Sequence, residues 1–156
     1  MAKAQFSQSF IFHVPLAKVQ AMLMDFTNID KYHPLVVKSE ELPSDTSQFG
    51  GPRRRFEITD ITYMGPLRLK FKYLATSTLD TNGHIYTEAF QSLNVHLISQ
   101  YILTQNGEET SLIENCEIQS PGIVKGYVRN QAKTAHFEML TKMKAYLESA
   151  ETSVAH

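Results

Sequence analysis

Six strand-like runs separated by short turns occupy residues 35–119 and leave this chain few possible folds. The separating segments are rich in glycine, proline and asparagine, and the strand-like runs cover residues 35–40, 53–63, 67–79, 84–91, 95–104 and 110–119. Consecutive strands joined by short loops pair antiparallel, because a parallel connection needs a dozen or more residues. The sequence therefore predicts an antiparallel meander.

The segments on either side of this meander predict one more strand and three helices. Residues 5–14 alternate between apolar and polar side chains, which indicates a strand. Pro15 then precedes apolar residues at helical spacing, and a second short helix or turn ends at His33-Pro34. Ser120-Pro121 resembles a helix start, and no further proline interrupts residues 121–149. We expect one long helix there.

The long helix is the only large element that can cover the buried face of a twisted sheet. We therefore predict an α+β fold, a curved antiparallel sheet of about seven strands wrapped around a long C-terminal helix, with two short helices after the first strand. The length of 156 residues fits a single domain, which we place at 1–150, with 151–156 as a frayed tail.

The apolar stripe of the long helix changes in size along its length. The first half carries Val124, Val128, Ala132 and Ala135, whereas the second half is bulky and includes Met139. Small side chains leave space between helix and sheet that larger ones would fill. The stripe therefore predicts a cavity beside residues 124–135.

Composition limits the cellular setting and the available chemistry. The formal net charge is -1 and Cys116 is the only cysteine, so the whole molecule does not attract polyanions and cannot form an internal disulfide. No signal-peptide run and no apolar stretch of membrane-spanning length is present, so we expect a cytoplasmic protein without a membrane span. Cofactor loops and metal motifs such as HExxH and CxxC are absent, so no cofactor and no metal are expected.

The chain resembles the START-like superfamily, also called SRPBCC, and in particular its polyketide cyclase and lipid-transport branch. The opening HVPLAKVQAMLMDFTNIDKYHPLV and the closing HFEMLTKMKAYLES are similar to the first strand, the proline-led and aromatic-rich helices and the long last helix of that family. The resemblance implies a helix-grip fold with a cavity for an apolar or amphipathic molecule. It does not specify the ligand.

Counting back from the turns gives a strand register and hence a cavity face. Taking 64–66 as the first loop places Glu57 opposite Tyr73 and Arg55 opposite Ala75; the same procedure continues through loops 80–83, 92–94 and 105–109. The inner face would also hold Ile61, Leu69, Ile102, Leu112 and Ile118, and Phe56, Ile58 and Ile113 would point outward. Together with the helix stripe, this register predicts a ligand-binding set of Arg55, Glu57, Phe71, Tyr73, Tyr86, Glu88, Phe90, His96, Ile98, Gln100, Glu114, Cys116, Val124, Tyr127, Val128, Gln131 and Ala135.

Three functions remain open from the sequence. We favour a binding module that holds a small hydrophobic or amphipathic molecule, as a monomer or homodimer. The alternative is an aromatase/cyclase-type enzyme that uses Glu57, Glu88 or Glu114 with His96 as acid and base; carboxylates and histidines are more often structural, and no catalytic residue is assigned. His136 lies off the centre of the helix stripe and is expected to be a surface or boundary residue and not a catalyst.

The third possibility is a nucleic-acid or ribosome partner that uses Arg53, Arg54, Arg68, Lys70 and Lys72. The stretch GGPRRRFEITD (50–60) is read as a turn into a strand, with Arg54 on the outer basic face. No aromatic stacking platform accompanies these charges, and Asp60 is expected opposite Lys70. A solvated outer sheet face is therefore favoured over nucleic-acid binding.

Overall fold

Seven strands and two α-helices make up residues 1–154, the part of the chain that this computed structural model describes. In chain order they are β1 (Ala2–Phe12), α1 (Leu16–Met24), β2 (Val36–Thr46), β3 (Pro52–Met64), β4 (Leu67–Leu79), β5 (Ile85–Gln91), β6 (Val95–Asn106), β7 (Glu109–Ser120) and α2 (Lys125–Val154). Short 3₁₀ turns lie at Ile29–Lys31 and Gly122–Val124. None of the helices in the described part has both the length and the apolar character needed to cross a membrane.

The strands form one antiparallel sheet in the order β1-β7-β6-β5-β4-β3-β2. The first strand therefore leaves the meander and pairs with the last, with Phe6 opposite Cys116. α2 crosses the concave face, which confirms the predicted α+β helix-grip architecture. The sheet is thus a curved half-shell with its two open edges at β1 and β2.

The long helix differs from its prediction at both ends. Pro121 has an extended backbone (ψ 138°) and is followed by the 3₁₀ turn, so regular α-helix begins only at Lys125. At the other end α2 continues to Val154, so the first four residues of the predicted tail are helical, and 155–156 lie outside the described residues.

The predicted strand register is wrong by one residue at three of the four hairpins. Met64 pairs with Leu67 and Asn106 pairs with Glu109, so both turns contain two residues instead of three and five. Glycine makes these tight turns possible, since Gly65 and Gly107 have φ values of 61° and 65°. The loop between β4 and β5 also shifts, because Leu79 pairs with Ile85.

A slip of one residue turns every side chain of a strand to the opposite face. The slips at the β3–β4 and β4–β5 hairpins turn the side chains of β3 and β5 to the face opposite the predicted one. β6 is turned over together with β5, because the β5–β6 hairpin pairs as predicted. The slip at the β6–β7 hairpin then returns β7 to its predicted face. The predicted inner residues that instead face the convex side are Arg55, Glu57, Ile61, Tyr86, Glu88, Phe90, His96, Ile98, Gln100 and Ile102. Phe56 and Ile58, predicted outside, are buried in the core.

The arginine stretch is inverted in the same way. Arg53 and Arg55 lie on the convex face beside Asp45, with Arg53 Nη2 2.6 Å from Asp45 Oδ2. Arg54 lies on the concave side, where its guanidinium stacks over the Phe56 ring and donates to Glu41. Arg68, Lys70 and Lys72 do face outward as predicted, but Asp60 pairs with Phe71 and is buried.

The core fills one end of the concave face. Bulky residues from the second half of α2, Met139, Leu140, Met143 and Leu147, pack there against Phe12, Phe56, Leu112 and α1. Burying one such side chain contributes roughly 1.5–3 kcal/mol. The other end faces the small-residue half of α2, and there the packing leaves a gap.

Candidate functional site

A chamber of about 110 Å³ lies between the first half of α2 and the concave face of β3–β6. Several times the space that one water molecule needs is available in it. Its wall is formed by His33, Leu35, Asp60, Thr62, Phe71, Tyr73, Gln91, Ser92, Leu93, Val95, Leu97, Val124, Tyr127, Val128, Gln131, Ala132, Ala135 and His136. Because Leu93 and Tyr127 are also exposed, the chamber reaches the surface between the β5–β6 turn and the start of α2.

A second, deeper chamber of about 60 Å³ continues toward the core. It shares His33, Tyr73, Gln91, Leu97 and His136 with the first chamber and ends against residues such as Phe26, Ile58 and Met139. The shared side chains therefore form the partition between an outer and an inner space. Four of the five shared side chains are polar: His33, Tyr73, Gln91 and His136.

A buried ion pair forms one side of the partition. His136 Nδ1 lies 2.6 Å from Glu114 Oε2, and Glu114, which is fully buried, also accepts hydrogen bonds from Gln8 and Ser99. Burial disfavours the ionised carboxylate, but the His136 charge and these donors outweigh it, so the pKa of Glu114 lies below its ordinary value. Burial likewise opposes the imidazolium, yet Glu114 holds the pKa of His136 above its ordinary value.

The second ring nitrogen of His136, Nε2, points away from the Glu114 carboxylate. Among residues 1–154, His136 Nε2 has no hydrogen-bond partner, while the His136 ring belongs to the walls of both chambers. Glu114 fixes the orientation of the ring, and the imidazolium that it stabilises carries a proton on Nε2 as well as on Nδ1. The arrangement presents an N–H donor that is available to a bound molecule.

Asp60 supplies an acidic group to the same wall. Tyr73 donates its hydroxyl to Asp60 Oδ1 at 3.1 Å, and the carboxyl is almost entirely buried. Burial raises the pKa of Asp60 to about 6, although the Tyr73 hydrogen bond and the nearby His136 charge act in the opposite direction. The carboxyl group therefore changes its protonation near neutral pH.

His33 adds a neutral imidazole. Burial, together with the His136 charge, lowers the pKa of His33 to about 3. Its Nδ1 accepts the backbone N–H of Leu35 at 3.2 Å, so the neutral ring carries its proton on Nε2. The His33 and His136 rings meet edge to face at 5.9 Å.

Glu114, Cys116 and His136 also bring three possible metal ligands within 4.8 Å of one another. Glu114 is already committed to its three donors, and burial raises the pKa of the Cys116 thiol to about 12. Since a thiolate and an available carboxylate are what a metal requires, the three residues fit a hydrogen-bonded network better than a coordination site.

The structure separates the predicted ligand-binding residues into three groups. Those in the wall of the outer chamber are Phe71, Tyr73, Val124, Tyr127, Val128, Gln131 and Ala135. Glu114 and Cys116 face the concave side and lie behind His136. The remaining members of the set carry their side chains on the convex face, where Glu57 lies 3.7 Å from Lys72 and Glu88 lies 2.8 Å from His96.

Six polar residues of the chamber wall were missed by the sequence reasoning: His33, Asp60, Thr62, Gln91, Ser92 and His136. His136 was expected at the surface or the boundary of the core, and it lies at that boundary, with 15% of its side chain exposed and its ring against Glu114 and Phe6. The sequence did contain a signal for Asp60. Phe56, Ile58, Asp60 and Thr62 lie on the same face of a strand, and the first two are strongly apolar, which favours burial of that face. No comparable signal marks His33, whose position depends on the loop after α1.

Comparison with known structures supports the fold. TTHA0849 from Thermus thermophilus has a TM-score of 0.73 and 14% identity over 94% of this chain and 99% of its own. The di-domain ARO/CYC StfQ from the steffimycin biosynthetic pathway has a TM-score of 0.74 and 11% identity over 96% of this chain and 52% of its own. A START superfamily protein from Mycobacterium smegmatis has a TM-score of 0.66 and 13% identity over 94% and 98%. No protein-family model and no curated protein matches the sequence.

Proposed function

Because the chain has the START-like helix-grip fold, we propose that it binds a small hydrophobic or amphipathic molecule in the outer chamber. The observation that supports this proposal most directly is the gap beside Val124, Val128, Ala132 and Ala135, which combines an apolar wall with a few convergent polar groups. Pockets of this composition are typical ligand sites. The apolar part of the ligand packs against the helix, and its polar part reaches His136 and Asp60.

Filling the chamber tests this proposal. In the parent protein, fatty acids should displace an environment-sensitive apolar dye from the chamber. Val128→Phe places a larger apolar side chain in the wall, so the variant should lose this binding of dye and fatty acid. Its far-ultraviolet circular dichroism should stay unchanged. Glu57→Gln on the convex face is the matched control and should bind as the parent does. Dye binding that survives Val128→Phe unchanged would place the ligand elsewhere, and native mass spectrometry would identify any co-purified molecule.

A second candidate is an aromatase/cyclase-type enzyme, and it rests on different residues from those expected. A histidine oriented by a buried carboxylate and an acid with a pKa of about 6 are the groups that general acid–base catalysis uses. Protonated His136 would donate through Nε2 to a carbonyl oxygen. Ionised Asp60 would accept the proton from the adjacent carbon. The di-domain ARO/CYC StfQ shares the fold.

Solvent deuterium exchange separates the enzyme from the binding module. Acetylacetone, a β-diketone with an acidic C–H, should incorporate deuterium faster in the presence of the protein, with a rate that rises as pH passes about 6 and Asp60 ionises. Asp60→Asn and His136→Gln should abolish the acceleration but keep dye binding. If the parent protein gives only the buffer rate, catalysis of this kind is ruled out.

The nucleic-acid alternative receives less support from the geometry. Arg53 is paired with Asp45, Arg54 with Glu41, and Lys72 lies 3.7 Å from Glu57, so three of the five expected cations are neutralised locally.

A cytoplasmic location remains part of the proposal, and the free, buried Cys116 is compatible with it.

A further inference from the structure

Three polar side-chain atoms in the wall of the outer chamber have no hydrogen-bond partner among residues 1–154. They are Nε2 of His33, Nε2 of His136 and Oδ2 of Asp60, and in each side chain the other polar atom already has a partner. None of the three is among the fully enclosed side-chain atoms that lack a partner in this part of the chain. Each therefore borders open space, and all three side chains line the outer chamber.

The protonation of these side chains makes the three atoms hydrogen-bond donors. Nε2 of the neutral His33 ring carries its proton, since Nδ1 accepts from Leu35, and the His136 imidazolium carries a proton on both nitrogens. Asp60 Oδ1 accepts from Tyr73, so Oδ2 is free to carry the proton of the protonated carboxyl. A carboxylate is the complementary group, because it only accepts hydrogen bonds and has two oxygens that can each take more than one.

The net charge of the wall depends on Asp60. The Glu114–His136 pair is neutral as a whole, so ionised Asp60 leaves one negative charge beside the chamber and protonated Asp60 leaves none. An anion that binds next to His136 therefore favours the protonated form of Asp60. The other ionisable side chains that line the outer chamber or lie beside His136 are His33 on the loop after α1, Tyr73 on β4, Tyr127 on α2 and Cys116 on β7.

We propose that the outer chamber binds a monocarboxylic acid, whose carboxylate accepts hydrogen bonds from Nε2 of His33 and of His136, and that Asp60 takes up one proton with it. This proposal rests on the proposed function, to which it adds the chemical class of the ligand. A ketone would accept the same hydrogen bonds but carries no charge to match the imidazolium. An alcohol or an amine would bring further donors to a wall that already supplies them. The alkyl chain of the acid lies along Val128 and Ala132.

A matched pair of ligands tests the chemical class. Octanoate and 2-nonanone have the same alkyl chain and the same number of heavy atoms, and they differ in that a methyl group of the ketone replaces one carboxylate oxygen. At a pH of about 5.5, where Asp60 is largely protonated, octanoate should bind about tenfold or more tightly than 2-nonanone. Displacement of the apolar dye measures both affinities.

His33→Asn isolates one of the two histidine donors. The Asn carbonyl oxygen can accept the Leu35 N–H in place of Nδ1, but asparagine has no group at the position of Nε2. The affinity for octanoate should fall about tenfold and that for 2-nonanone less, because a hydrogen bond to a charged group is the stronger one. His84→Asn is the matched control, since His84 Nδ1 accepts the Leu103 N–H at 3.1 Å in the same way and His84 belongs to neither chamber wall.

Asp60→Asn tests the uptake of the proton. In the parent protein the affinity for octanoate should fall about fivefold or more between pH values of about 5.5 and 7, because Asp60 ionises over this range and must regain a proton beside the anion. In Asp60→Asn, which cannot ionise there, the affinity should change by less than about twofold. Isothermal titration calorimetry in buffers of different ionisation enthalpy should show uptake of about one proton per octanoate at neutral pH in the parent and much less in the variant.

Octanoate that binds no more tightly than 2-nonanone overturns the proposal, as does an equal affinity of His33→Asn and His84→Asn for octanoate. A pH dependence that persists in Asp60→Asn overturns it as well, because Asp60 would then not be the group that takes up the proton. If octanoate and 2-nonanone bind equally and Val128→Phe loses both, this proposal fails and the proposed function stands. If neither compound displaces the dye, both fail.

Discussion

The two halves of α2 face the same sheet but perform different tasks. Met139, Met143 and Leu147 in the second half close the core, whereas Val128 and Ala132 in the first half leave an open chamber. The polar groups lie at the boundary, where the Glu114–His136 pair separates packed from unpacked space. The comparison shows that a helix-grip fold can assign stability and binding to successive turns of one helix.

The largest loss of stability is expected from a change in the Glu114–His136 pair at this boundary. Glu114→Gln leaves the His136 charge buried without its counterion, and such a change costs about 3–5 kcal/mol of the free energy of unfolding. The cost should be largest between pH values of about 4.5 and 6.5. Glu114, with a lowered pKa, loses its contribution as pH falls through its folded pKa. His136, with a raised pKa, loses its contribution as pH rises through its own.

Urea unfolding of the parent and of Glu114→Gln across pH measures this dependence. The double variant Glu114→Gln/His136→Gln is the control, because it removes both charges and should recover part of the loss. A penalty for Glu114→Gln that stays constant from acid to alkaline pH would show that the pair is not ionised.

The next prediction compares the two halves directly. Met143→Ala removes a nearly fully buried side chain from the core and should cost about 2–5 kcal/mol, whereas Val128→Ala beside the chamber should cost less than about 1.5 kcal/mol. Dye affinity should show the reverse pattern and change only with Val128→Ala. Equal losses of stability in the two variants would mean that the chamber wall is packed as tightly as the core.

The sequence predicted the architecture because the signals for it are local. The number of strands, their order along the chain and the change from Val128 to Met139 along the helix stripe can all be read within a few residues. The site depends on strand register, which a single residue decides: the two-residue turn at Gly65-Pro66 sends Glu57 outward and Asp60 inward. Nothing in the spacing of Glu114 and His136 along the chain shows that sheet curvature brings them to 2.6 Å.

The burial of Phe56 and Ile58 would have corrected the register. The expected arrangement left these two apolar residues in solvent and placed Arg55 and Glu57 inside, which reverses the ordinary preference for burial. A register that buries Phe56 and Ile58 turns β3 over and places Asp60 on the concave face. His33 and His136 would still be missed, because their burial follows from the packing of the loop after α1 against α2.

The smallest expected effect concerns the acidic side of the partition. Asp60 has a pKa of about 6 in the fold against 3.8 in its ordinary state, so the native protein retains a proton that the unfolded chain loses between these values. Stability therefore falls as pH rises from about 4 to 6, and ionised Asp60 destabilises the fold above that range. Asp60→Asn should raise the free energy of unfolding by about 3 kcal/mol at pH 8 and change it little at pH 4. The Asn carbonyl can still accept a hydrogen bond from the Tyr73 hydroxyl, so the comparison concerns charge alone.

Asp30→Asn, in the 3₁₀ turn after α1 and exposed, is the control. Stabilisation of equal size at both pH values would assign the effect to packing and would remove Asp60 from the groups that titrate near neutrality.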